Sequence, residues 1–249
     1  MTPRPSALFR RACAEFIGSA ALTAMVVGSG IAAVNLSQDA GLQLLINAFA
    51  TALGLFVLIS VLAPISGAHF NPLVTTADYA FRLRPRRELA PYIAAQVTGC
   101  IAGSVLANVL FDLPPAAWSS TGRITPGHLA AEVVATAGLV LAVFTLARTG
   151  RAHLAPAVAA AYIGSAYFFT SSTSFANPAI TIGRMFTDTF AGIAPGSVPL
   201  FIAAQAAGAL LGYLGVRLLI PAPEGAGDHR TSLAPPPAQS SPPSARVQR

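Results

Sequence analysis

Ser66-Gly67-Ala68-His69-Phe70-Asn71-Pro72-Leu73-Val74-Thr75 and Ser174-Phe175-Ala176-Asn177-Pro178-Ala179 are the two stretches on which this sequence turns. Each places an Asn-Pro pair after an irregular segment and ahead of a short, mostly uncharged run. Asn is a favoured helix N-cap, and Pro fits the first helical position because its missing N–H would have no partner there. Each pair therefore predicts a helix start. The runs that follow, 73–79 and 179–186, are too short to cross a bilayer. About ten helical residues rise only about 15 Å, half the thickness of the hydrocarbon core.

The chain around these segments is strongly apolar. Of its 249 residues 54% are hydrophobic and 10% charged, against roughly 25% charged in ordinary soluble domains. Mean hydropathy is +0.63. These figures argue against a nucleic-acid binder, a disordered chain and a soluble enzyme. Six stretches approach the roughly 20 apolar residues that a membrane-spanning helix needs: about 12–34, 42–65, 92–111, 128–147, 154–170 and 198–220. Arg4, Arg10 and Arg11 ahead of the first would also suit a signal peptide. The length of that run, Glu15 within it and the five spans after it favour a transmembrane helix instead. Cys13 and Cys100 both lie in apolar runs and form neither a disulfide framework nor a metal spacing.

All 15 basic residues are arginine, and with nine acidic residues they give a formal charge of +6. In a soluble protein that would suggest a polyanion partner; here their placement matters more. With both termini cytoplasmic, thirteen arginines fall inside and only Arg123 and Arg184 outside, a strong positive-inside asymmetry. The expected location is the inner (plasma) membrane, crossed six times. After Ile220 the composition changes: 221–249 holds seven prolines among Ser, Ala and Gly without apolar periodicity. The expectation is a folded unit over 1–221 and a disordered tail over 222–249.

The two halves, about 11–111 and 128–220, echo each other. Ile93-Ala94-Ala95-Gln96 recurs as Ile202-Ala203-Ala204-Gln205; each is followed by glycines four apart, Gly99 and Gly103, then Gly208 and Gly212. That spacing lets transmembrane helices approach closely. Ala14-Glu15 recurs as Ala131-Glu132, and Asn71-Pro72 as Asn177-Pro178, in the same order. Three spans per repeat is an odd number, so the second repeat is inverted, an arrangement with a site near the membrane midplane. The expected fold is all-α: six transmembrane helices plus two re-entrant half-helices that enter from opposite sides and meet Asn to Asn. Re-entrant backbone at that depth must be buried in protein or line a water-filled cavity. Two positive helix ends then face one place, and two Asn amides offer donors to a passing hydroxyl. Such a site suits neutral hydroxylated solutes and opposes cations.

The two loops resemble the signature loops of the major intrinsic proteins, the aquaporins and aquaglyceroporins. Ala14-Glu15-Phe16, Glu132, Gln96 and Gln205 fit the same family, and the likeness runs from Arg11 to about Ile220. The resemblance implies a channel, not an enzyme, usually a homotetramer with one pore per subunit. It implies no cofactor and no metal; the partners are small neutral solutes and the lipid bilayer. It assigns Asn71, Pro72, Leu73, Asn177, Pro178 and Ala179 to the pore motifs, with Leu73 in place of the usual alanine. It also gives Glu15 and Glu132 the task of holding the re-entrant backbones. A proton-coupled carrier using the same two carboxylates is the reading from another class.

By the family's spacing four residues form the selectivity filter, twenty before Asn71 and twelve before, three before and three after Asn177: Thr51, Ser165, Ser174 and Ile180. A water-selective member has an aromatic at the first of these positions, typically a histidine at the second and an arginine at the fourth; a glycerol facilitator keeps the arginine and has aromatics. Three small hydroxyls and one aliphatic imply a wider, uncharged constriction. The pattern is similar to a bacterial aquaglyceroporin branch associated with arsenic resistance. The expected cargo is therefore arsenous acid, methylated arsenicals and glycerol-like polyols, with a water-selective pore as the alternative.

Arg184, seven residues after Asn177, lies only about 20° from its helix face. It reaches the outer mouth and partly restores the missing charge, or it marks the membrane interface or pairs with Asp188, its i+4 neighbour. His69 is placed at the inner vestibule, as pore lining or as packing, while His128, His153 and His229 are expected to be solvated.

Overall fold

The computed structural model describes residues 6–220; the proline-rich tail expected over 222–249 lies outside the described residues. Eight α-helices follow one another: α1 (Ala7–Leu36), α2 (Ala40–Ser66), α3 (Pro72–Ala80), α4 (Leu89–Leu110), α5 (Pro126–Arg148), α6 (Ala155–Phe169), α7 (Pro178–Gly183) and α8 (Val198–Leu219). Among the described residues there is no strand. All except α3 and α7 belong to segments long and apolar enough to cross a membrane, so the protein is a multi-pass membrane protein.

Local chemistry sets the helix starts. Ser6 accepts the amide of Phe9, Asp39 that of Leu42, and Thr125 that of His128, satisfying N–H groups that the first turn leaves free. The half-helices open as the Asn-Pro pairs predict: Asn71 caps α3 by accepting from Leu73, and Asn177 caps α7 by accepting from Ala179 and Ile180. The second half-helix is tighter than expected. Its α-helix ends at Gly183, and Arg184–Phe186 form a 3₁₀ turn.

The helices pair by repeat, α1 with α4 and α5 with α8, and the four glycines lie at these crossings. A Cβ added at Gly99 or Gly103 would meet the carbonyl oxygens of Phe16 and Ala20 at 2.5 and 2.2 Å; at Gly208 or Gly212 it would meet those of Val133 and Ala137 at 2.3 and 2.5 Å. The contact surface of α4 and α8 is thus bare backbone against the partner helix, which only glycine permits. The outer surface is the opposite: Phe49, Val61, Leu211 and Leu218 are exposed, as suits helices facing lipid or further copies.

Hydrogen bonds sort the ends of the elements onto two faces. On the N-terminal face Arg11 pairs with Glu88 at 2.9 Å, and Arg84 bonds Asp78, Glu88 and the carbonyl of Ser66. This ties the start of α1, the end of α2, the end of α3 and the start of α4 together. On the opposite face the end of α4 and the segment after it, 108–125, are stitched to 184–197: Asn108 Nδ2 donates to the carbonyl of Phe186, Ala194 N to that of Thr121, and Arg123 N to Ser197 Oγ. The loop before α3 therefore dips in from the N-terminal face and the loop before α7 from the other.

Candidate functional site

Each re-entrant loop is wound by left-handed residues at equivalent places. Ala68 and Phe70 have φ of +50° and +49°, Ser174 and Ala176 of +52° and +47°. Non-glycine residues in that region cost roughly 1–2 kcal/mol each, so something must hold them. The buried carboxylates do. Glu15 accepts His69 N at 3.0 Å, Phe70 N at 2.7 Å and Ser66 Oγ at 2.6 Å. Glu132 accepts Phe175 N and Ala176 N, both at 2.9 Å. A glutamine steadies each carboxylate: Gln96 Nε2 donates to Glu15 at 2.7 Å and Gln205 Nε2 to Glu132 at 2.6 Å. Both glutamates are fully buried, with their oxygens occupied by amides of the protein itself.

The same glutamines reach Thr75 Oγ1 and Thr181 Oγ1, each at 2.9 Å, and these hydroxyls donate to the carbonyls of Asn71 and Asn177. The two threonines were not singled out in the sequence, although each stands four residues after its Asn. A buried chain of Glu, Gln and Thr thus fixes each half-helix from behind, twice over.

The two asparagines meet differently from a simple Asn-to-Asn contact. Asn71 Nδ2 donates to the carbonyl of Ala176 at 2.8 Å, and Asn177 Nδ2 to that of Phe70 at 2.7 Å. Each amide crosses to the other loop and locks the two half-helix starts together. One N–H of each NH₂ group is used in this way, leaving a second.

A cavity of about 570 Å³ runs from Ala152–Pro156 on the N-terminal face, past Asn71 and Asn177, to Arg184 near the other. His69 lines it, with Nδ1 3.0 Å from Thr75 Oγ1, so the histidine joins the lining and the half-helix packing at once. His153 is exposed at the N-terminal mouth.

Thr51, Ser174 and Ile180 line this cavity as counted from the sequence, and Ser165 does not. Ser165 is exposed, and its hydroxyl donates to the carbonyl of Tyr162 in its own helix. Tyr167, two residues on, lines the cavity instead: it is buried, and its hydroxyl lies 3.2 Å from Thr51 Oγ1. Two residues along a helix are about 200° of rotation, so counting back twelve from Asn177 instead of ten lands on the back of α6. An aromatic therefore lines the cavity beside Thr51, where the count placed only a small hydroxyl.

The pairing of Arg184 with Asp188 is not formed. Asp188 accepts Ser120 N at 2.8 Å and Ser120 Oγ at 2.9 Å on the surface, and these bonds hold its carboxyl below the ordinary value. Arg184 is buried and lines the cavity; its Nε donates to the carbonyl of Ala191, and its guanidinium carbon lies 3.4 Å from the Phe175 ring centre. Gly183 makes this possible, because a Cβ there would lie 2.6 Å from the carbonyl of Cys100; α7 is pressed against α4. No group of three or more metal-ligating side chains occurs among the described residues.

Residues 3–175 match the family described as major intrinsic protein. The chain is 45% identical to aquaglyceroporin AqpS of Rhizobium meliloti, over 86% of this chain and 91% of that one. It is 32% identical to aquaporin Z of Rhodopseudomonas palustris, over 85% and 94%. The fold is also similar to that of the aquaglyceroporin from Plasmodium falciparum, with a TM-score of 0.68 at 19% identity over 84% of this chain and 95% of the other. The paired half-helices and these matches agree: the chain belongs to the major intrinsic protein family and is a membrane channel, not an enzyme.

Proposed function

We propose that this channel conducts small neutral hydroxylated solutes passively, with arsenous acid, methylated arsenicals and glycerol-like polyols as its cargo. One observation carries this: two Asn amides line a single cavity at the place where two half-helix starts meet. Each keeps an N–H beyond the one that bonds the opposite loop, so a solute hydroxyl finds donors there. Around them the lining alternates hydroxyls of Thr51 and Tyr167 with aliphatic Leu22, Ile59 and Val143, which suits molecules bearing both hydroxyl and apolar surface. Arsenous acid, a neutral trihydroxy molecule, has the hydroxyl pattern of glycerol. Ile180 in place of the family's usual arginine favours bulkier solutes over water alone.

A water-selective pore is the alternative. A proton-coupled carrier is disfavoured because Glu15 and Glu132 spend their oxygens on loop amides. We place the pores in a homotetramer in the inner membrane with both termini cytoplasmic, so that the face carrying Arg184 is outside. Proteoliposomes challenged with water, glycerol and arsenite gradients separate the readings. Rapid uptake of both solutes supports the proposal; fast water flux with both solutes excluded leaves only the alternative.

A further inference from the structure

We propose that Arg184 is the cation of this channel's filter, displaced one helical turn outward from the position that Ile180 occupies; the inference rests on the channel reading above. Two observations converge on it. Arg184 is 2% exposed yet lines the cavity, and the partners of its guanidinium leave the charge unneutralised. Its Nε is committed to the Ala191 carbonyl and one face to the Phe175 ring, while no carboxylate pairs with it among the described residues. Of its five N–H donors the one on Nε bonds the protein, at the Ala191 carbonyl; the terminal nitrogens are left for the cavity.

The seat is built, not incidental. Arg123, the other arginine of that face, donates from Nε to the carbonyl of Gly192 at 2.8 Å and from Nη2 to that of Phe190 at 3.2 Å. These carbonyls flank Ala191, the acceptor of Arg184. Arg123 also lies 5.1 Å from the same Phe175 ring, and Phe175 is itself fixed by Glu132. The loop amide, the ring and the carbonyl that aim Arg184 are thus held from three directions.

The filter then has two levels. Nearest the mouth stands a polar level that includes Arg184; one turn inward, about 6 Å along the axis, Ile180 supplies an apolar wall before the asparagine pair. A guanidinium at a low-dielectric constriction repels cations and protons and donates to hydroxyl oxygens. Shifting it outward keeps that barrier while freeing the narrow level for solutes with apolar surface. Cation exclusion and solute width, which a single arginine couples, are here assigned to different residues.

The test uses full-length protein in phosphatidylcholine–phosphatidylglycerol proteoliposomes, with potassium leak under a diffusion potential and glycerol uptake measured on the same preparations. Arg184→Gln and Arg184→Met, the latter still covering Phe175, are expected to raise potassium leak at least tenfold and to raise glycerol uptake several-fold. Arg184→Lys is expected to keep the leak within about threefold of the wild type. Ile180→Arg is expected to cut glycerol uptake at least tenfold with no rise in leak. Folded Gln and Met variants with wild-type leak would overturn the proposal, and so would failure of both to fold while Arg184→Lys leaks freely. Absence of glycerol uptake by the wild type would overturn the channel reading itself, a distinct outcome.

Discussion

Thr51 on α2 and Tyr167 on α6 meet side by side in the cavity wall, their hydroxyl oxygens 3.2 Å apart, 116 residues apart in the chain. The bond joins the first repeat to the second in the wall of the cavity. It also fixes which face of α6 looks inward, because Ser165 is turned to the outside by the same helix.

Tyr167→Phe removes the phenol oxygen without emptying the site. Thr51 Oγ1 loses its partner at a buried position, which costs about 1–3 kcal/mol. The expected outcome is a lower melting midpoint in detergent and a glycerol flux changed by at least threefold. Ser165→Ala is expected to leave both within error, since its hydroxyl bonds only its own helix. Calorimetry and stopped-flow light scattering read the pair; a silent Tyr167→Phe with an affected Ser165→Ala would restore the counted filter.

Glu132→Gln offers one accepting oxygen where two are used, so an amide of Phe175 or Ala176 faces an NH₂ group. A buried donor left unpaired costs about 1–3 kcal/mol, and the left-handed φ of Ala176 loses its support. Glu15→Gln is expected to behave the same way, through His69 and Phe70. Both variants should lose folded yield and solute flux together at every pH. A well-folded Glu132→Gln protein that lost only pH-driven uptake would point to a carrier.

Gly103→Ala puts a methyl 2.2 Å from the carbonyl of Ala20, and Gly208→Ala puts one 2.3 Å from that of Val133. Backbone cannot swing away as a side chain does, so each is expected to destabilise by about 1–3 kcal/mol or more. Gly122→Ala meets nothing within 4 Å and is expected to be neutral. Thermal melts of the three variants check the contrast.

Asp188→Asn keeps the hydrogen bonds from Ser120 and removes a charge that does not pair with Arg184. Glycerol flux is expected to stay within twofold of the wild type. A large change would restore the Arg184–Asp188 pair.

The parts of the fold that the sequence made legible are those written in short-range chemistry. Asn-Pro at 71 and 177 specifies a cap and a first turn locally, and the glycines at 99, 103, 208 and 212 mark close helix contact by spacing alone. Glu15 and Glu132 stand out because carboxylates are costly in an apolar run. The filter was less legible because it joins residues far apart in sequence. Counting back from Asn177 assumes a fixed loop length, and an error of two residues reverses the face of α6, exchanging Tyr167 for Ser165. Arg184 was open between the outer mouth, the interface and a pair with Asp188 because helix geometry gave only its direction, whereas its actual partners, Phe175 and Ala191, lie on loops whose path no periodicity encodes. Thr75 and Thr181 were unremarkable as sequence; their role appears only when Gln96 and Gln205 reach them.

Solute uptake into proteoliposomes containing the purified wild-type protein decides whether the channel conducts neutral hydroxylated solutes passively. Arsenite and glycerol uptake are followed over a wide concentration range, with and without an imposed pH gradient. Passive conduction predicts rates that rise linearly with concentration, do not respond to the gradient, and exceed those of protein-free vesicles at least tenfold for both solutes. Saturable uptake driven by the pH gradient, or vesicles that pass water quickly while excluding both solutes, would contradict it.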